Sequence, residues 1–97
     1  MDDIEVTSRT ARYALNPIYL FRWEATQDAH VLLYPEGIVK LNRTAGEIIE
    51  LCDGRRTASD MVEMMQQRYP GDDGRVATGV YNSLEVFSAK GWIRRQA

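Results

Sequence analysis

The sequence predicts an α+β domain: a three-stranded antiparallel sheet followed by a three-helix bundle. Between Ile18 and Leu41 apolar side chains alternate with a period of two, whereas from Thr44 onward they recur at the helical spacing of about 3.6. The two patterns do not interleave. Strands and helices segregated in this way place the helices over one face of the sheet.

Met1 to Asn16 is polar, and its scattered Ile4, Val6, Tyr13 and Leu15 match neither period. It reads as a mobile arm, residues 1–16, ahead of a folded domain at 17–97. Pro17 disfavours helix at Asn16, and beyond it IYLFRWE sets Tyr19, Phe21 and Trp23 against Leu20, Arg22 and Glu24, the alternation of a half-buried strand. TQDAH breaks the pattern. VLLY and IVKL then flank Pro35-Glu36-Gly37, where proline presets a negative φ and glycine supplies the positive φ expected near the end of a short hairpin loop. The result is a three-stranded meander.

Thr44-Ala45-Gly46-Glu47 has the TxxE spacing of a capping box, and Ala45, Ile48, Ile49 and Cys52 share one face of the helix it would open. Gly54 is the expected left-handed stop. A second helix starts at the cap Thr57, carries Met61, Val62, Met64, Met65 and Tyr69, and ends before Pro70-Gly71. Asp72 or Asp73 caps a third, in which Val76, Val80, Leu84 and Phe87 form an apolar stripe closing at Gly91. Trp92 and Ile93 should fold back onto the core.

The chain has 97 residues, 44% of them hydrophobic and 27% charged, with a formal net charge of -2. That length suits one domain with one core, and the charge does not suggest a polyanion partner. A single cysteine, Cys52, excludes an intramolecular disulfide and points to a reducing compartment, the cytoplasm. MDDIEVTSRTARY contains no apolar run, so neither a signal peptide nor a membrane span is expected, there or elsewhere.

Catalysis needs convergent reactive groups, and few are present. The one histidine, His30, sits in a polar stretch beside Asp28 and reads as a solvated loop residue. Cys52 lies on an apolar helical face, where a thiol behaves as a small hydrophobe. One His and one Cys do not make a zinc set, Asp72-Asp73 suits helix capping better than calcium, and neither GxGxxG nor a P-loop occurs. No enzyme activity, metal or cofactor is expected.

Three helices with a β-element are also the layout of winged helix-turn-helix domains, whose third helix presents basic residues to DNA. RVATGVYNSLEVFSAKG offers Arg75 and Lys90 with Glu85 between them, too little positive charge for phosphate binding by an acidic domain. A winged-helix DNA-binding regulator is the alternative reading. What remains is surface for another chain: strand Ile38 to Leu41 ends the meander, and a free edge there would accept an extended peptide by β-augmentation. The plainer reading is that the strand is core, that Lys40 blunts the edge against aggregation and that Tyr81 simply packs.

The string VLLYPEGIVKLNRTAGEIIELCDGRRT, followed further on by GWI, closely resembles the PqqD family of small peptide chaperones in pyrroloquinoline quinone biosynthesis. YPEG in the hairpin, LNxTAxEI at the first helix, CDG at its end and GW after the last helix agree together, over Pro17 to Ile93. The resemblance implies a winged helix-turn-helix-like recognition element for ribosomally made, modified peptides. Such a protein binds the precursor peptide PqqA and presents it to the radical SAM enzyme PqqE, which crosslinks a glutamate to a tyrosine, and does no chemistry itself. It also implies that the peptide adds as a strand beside the third strand, in a groove closed by the third helix.

Carried onto this chain, that assigns peptide binding to Ile38, Val39, Lys40 and Leu41, with Val76, Val80, Tyr81, Leu84 and Glu85 facing them and Arg75 available to an acidic peptide residue. Val76, Val80 and Leu84 also form the core stripe and cannot all face outward. A monomer or weak dimer is expected, since the arm and first strand could exchange between protomers.

Overall fold

The computed structural model describes residues 8–97. Nine elements follow in order: β1 (Arg12–Leu15), β2 (Leu20–Glu24), β3 (Ala29–Tyr34), β4 (Gly37–Lys40), α1 (Arg43–Leu51), β5 (Asp53–Thr57), α2 (Ala58–Arg68), α3 (Asp73–Ala89) and β6 (Ile93–Gln96). They build two antiparallel three-stranded sheets, ordered β2-β3-β4 and β5-β1-β6. The α+β class holds. The expected sequence of three strands and then three helices does not, because a second sheet is assembled from strands scattered along the chain.

The meander forms where alternation predicts it. β2 and β3 are joined by a tight turn, Ala25 to Asp28, in which Asp28 takes φ 51°, a left-handed conformation that aspartate tolerates. Pairing of Tyr34 with Gly37 leaves only Pro35 and Glu36 in the next loop. Gly37 is not among the left-handed residues, so the positive φ expected of it is absent. It is already strand, and a Cβ built on it would stand 3.5 Å from the Tyr34 hydroxyl. The central strand is buried on both faces, with Val31 and Leu32 each 0% exposed.

α1 begins earlier than the TxxE spacing suggests. Asn42 is the cap: its Oδ1 accepts the Ala45 N–H at 2.8 Å and also the Thr44 hydroxyl at 3.2 Å. Asparagine caps at least as well as threonine, so the extended residue nearest the end of β4 takes the role. At the other end Cys52 is the cap, while Gly54 uses its φ of 82° inside β5, against Ala14 and Gln96. The expected boundary of α2 is observed, with Thr57 and Asp60 forming a reciprocal capping box. Asp72 caps α3, whose Val80, Leu84 and Phe87 are buried while Val76 is half-buried.

The expected mobile arm is corrected for Arg12 to Asn16; residues 1–7 lie outside the described residues. β1 is the middle strand of its sheet, pairing with β5 on one side and β6 on the other, and Tyr13 and Leu15 pack on the core. Asn16 is the buried polar residue that ties this sheet to the end of α3. Its Nδ2 donates to Gly91 O at 2.8 Å, its N–H donates to Trp92 O at 2.8 Å, and its Oδ1 accepts from Ile18 N–H at 3.1 Å. Trp92 stacks on Phe87 at 5.4 Å and Ile93 is 1% exposed, so the expected anchor is there, as the start of β6.

The core gathers Leu32 and Leu41 from the meander, Ile48, Ile49 and Leu51 from α1, Met61 and Met65 from α2, and Leu84 and Phe87 from α3. α1 crosses β3 so closely that a Cβ on Gly46 would stand 2.9 Å from His30 Nδ1 and 3.2 Å from its Cβ. Gly46→Ala gains helix propensity yet overpacks this crossing, and a net loss of about 1–3 kcal/mol in urea unfolding is expected. A chain starting at Pro17 is expected to lose its cooperative thermal transition by circular dichroism; an unchanged Tm would reinstate the arm.

Candidate functional site

β4 is an edge strand: β3 pairs with one side of it and, among the described residues, no strand pairs with the other. Leu41 donates its N–H to His30 O at 3.0 Å, which places Leu41, Val39 and Gly37 in register with β3. By the alternation of an antiparallel ladder, the N–H and C=O groups of Ile38 and Lys40 then point to the open side. Side chains divide independently of this: Ile38 is 55% exposed, Lys40 is exposed, Val39 packs on the core and Leu41 is 4% exposed. Leu41 lies just beyond the strand and is a core residue.

The helical candidates divide between two hollows. Arg75, Val76 and Val80 share a groove of about 320 Å³ between α1 and α3, whose other lining residues include Thr44, Ile48 and Tyr69. Tyr81, Leu84 and Glu85 instead line a hollow of about 130 Å³ with Ser8 and Tyr13. A helix turns about 100° per residue, so neighbours such as Val80 and Tyr81 face different ways. The first three are brought together and the last three are kept apart from them. As groove residues, Thr44 and Ile48, read from the sequence as cap and core, and Gly79 and Ser83 are additions, although i, i+4 spacing links Thr44 with Ile48, Arg75 with Gly79, and Gly79 with Ser83.

One end of the groove is braced. The Tyr69 hydroxyl donates to Glu47 Oε1 at 2.6 Å, and Arg43 and Arg68 approach the same carboxylate at 3.9 and 3.8 Å. Hydrogen bonding to Glu47 holds the Tyr69 phenol above its usual pKa. Glu47 therefore serves tertiary packing and not a capping box. It also borders a larger cleft of about 700 Å³, lined by Trp23, His30 and Lys40 among others, in which acidic and basic side chains are mixed.

No catalytic arrangement emerges among these groups. His30 is a strand residue, not a loop residue: its ring stacks on Phe21 at 4.7 Å and meets Trp23 edge-on at 5.1 Å. Among the described residues no three His, Cys, Asp or Glu side chains cluster as metal ligands, and no helix is long and apolar enough to cross a membrane. The charged residues of α3 are Asp73, Arg75 and Glu85, a poor set for a helix reading DNA.

A profile describing Coenzyme PQQ synthesis protein D (PqqD) matches residues 29–93, from the start of β3 to the start of β6. The chain belongs to the PqqD family. A PqqD-family relative in Klebsiella pneumoniae strain 342, named PqqA binding protein, is 41% identical over 85 residues, 88% of this chain and 91% of the relative. One of the same name in Pseudomonas aeruginosa PAO1 is 46% identical over 78 residues, 80% of this chain and 84% of the relative. The solution structure of the PqqD part of Methylobacterium extorquens PqqCD, described as a functional, stand-alone recognition element for ribosomally synthesized and post-translationally modified peptides, superposes with a TM-score of 0.71. It is 26% identical, with 86% of this chain and 88% of that one covered.

Cys52 is buried, and its Sγ–H points to Ile48 O at 3.3 Å. Burial, with the Asp53 charge adding to it, pushes the thiol from 9.0 up to about 12. The fold favours the protonated thiol, so this contribution is fully present below pH 9.0 and is lost as pH rises toward 12. Iodoacetamide at about pH 8 is expected to spare Cys52 in the folded protein and alkylate it in concentrated urea. Mass spectrometry reads the difference, and the urea midpoint should fall above pH 9.0.

Proposed function

We propose that this PqqD-family chain is a non-catalytic chaperone that binds the precursor peptide PqqA by strand addition along β4 and presents it to the radical SAM enzyme PqqE. The observation that carries the reading is the open edge of β4, where Ile38 and Lys40 turn their backbone donors and acceptors away from β3. The names of its relatives supply the peptide. PqqE enters from the family resemblance in the sequence. In this reading the meander is the wing of a winged helix-turn-helix-like arrangement, turned from DNA to peptide.

Backbone pairing sets the peptide's register and apolar seats select its side chains. Arg75, Val76 and Val80 supply those seats in the α1–α3 groove. Tyr81, Leu84 and Glu85, on the other side of the helix, act as support for β1 and not as contacts.

Amide NMR spectra of the labelled protein, recorded while PqqA is added, test the proposal. The Ile38 and Lys40 signals are expected to shift, and to shift again when PqqE joins. Ile38→Pro removes one outward donor and no ladder bond, so the fold should persist while PqqA affinity falls about tenfold, the worth of roughly one hydrogen bond. Unchanged spectra at saturating peptide would refute strand addition.

A further inference from the structure

Four of the glycines in this chain have a visible structural reason. Gly54, Gly71 and Gly91 hold φ of 82°, 128° and 79°, and Gly46 lies against His30. Gly79 has none of these. It sits inside α3, where glycine is less favourable than alanine; its φ is not left-handed, and a Cβ built on it would meet nothing within 4 Å. Neither backbone conformation nor internal packing calls for glycine there. What its missing side chain does is deepen the α1–α3 groove beside Ile48, Val76 and Val80.

One turn before Gly79, on the same face, stands Arg75. Its side chain takes part in none of the ion pairs among the described residues. The two positions are four residues apart, about 6 Å along the helix. In an extended peptide, side chains two residues apart point the same way and are separated by about 6.6–6.8 Å. The spacings match. Thr44, on the opposite rim, follows Lys40 by four residues, so its Cα lies within about 14 Å of the end of β4.

We propose that Gly79 and Arg75 form a two-point selectivity device, which accepts a peptide segment carrying a bulky apolar residue and a carboxylate two positions apart. The apolar residue fills the space that Gly79 leaves against Ile48, Val76 and Val80, and the carboxylate pairs with the Arg75 guanidinium at the rim. The inference rests on the peptide-binding reading of β4 and adds to it the chemistry of what is read. Charge complementarity to Arg75 and the apolar lining of the groove point to an acidic, apolar stretch of peptide as the occupant.

The test measures PqqA affinity of Gly79→Ala, Gly79→Leu, Arg75→Glu and Ile38→Pro by fluorescence anisotropy. Gly79→Ala should raise Tm, because an exposed helical glycine is replaced by a better helix former. Gly79→Leu should remain folded yet bind PqqA at least tenfold more weakly. Among PqqA variants with single carboxylates changed to lysine, one should lose affinity for the natural protein and regain it with Arg75→Glu. The bulky apolar residue two positions from that carboxylate should be the one whose change to alanine matters in the natural protein and not in Gly79→Leu. Natural affinity in Gly79→Leu, or a rescued carboxylate with only polar residues two positions away, overturns the device. If Ile38→Pro still weakens binding in that case, strand addition survives; if Ile38→Pro and Gly79→Leu both bind normally, strand addition along β4 fails with it.

Discussion

The close crossing of α1 over β3 positions everything at the candidate site. Only Leu41 and Asn42 separate β4 from α1, so the helix start and the open strand edge form one nearly rigid corner. That corner is fixed from three directions: Leu41 is buried and bonded to His30, Asn42 caps the helix, and Gly46 lets the helix rest on the His30 ring. His30 in turn is held between Phe21 and Trp23. The lone histidine, the obvious candidate for chemistry, is a spacer between sheet and helix.

The second sheet does for α3 what this corner does for α1. Its middle strand comes from near the beginning of the chain and one of its outer strands from the end, and Asn16 ties their junction to the carbonyls of Gly91 and Trp92. A buried side-chain amide is tolerated only when its groups are satisfied, and here both the donor and the acceptor are used. The wall of the groove is therefore anchored at its far end by a strand that carries no part of the site.

Much of this architecture can be read in the sequence where the governing interactions are local. Alternation gave the meander, Thr57 and Asp72 gave the starts of α2 and α3, and Trp92-Ile93 declared itself as an anchor. Reading failed where two adequate local signals competed, as Asn42 did with Thr44, and where the partner was distant. RYAL, DGRRT and IRRQ are too short and too polar to show alternation, and become strands only because each finds another across the chain. The strand half of the candidate site was legible. The helical half was blurred, since Val76, Val80 and Leu84 obey one period while Val76 lines the groove half-buried, Val80 lines it from within the core, and Leu84 belongs to the core.

The open side of β4 has a cost that the proposed role does not remove. Hydrogen bonding through the main chain cannot distinguish one extended segment from another, and a second copy of the same strand satisfies it as well as any ligand. In Gly-Ile-Val-Lys a single charge, Lys40, stands against such pairing, and the exposed Ile38 favours it. Under the proposed strand addition a bound peptide has two consequences at once. It would be the cargo, and also the cover that keeps its carrier from stacking edge to edge.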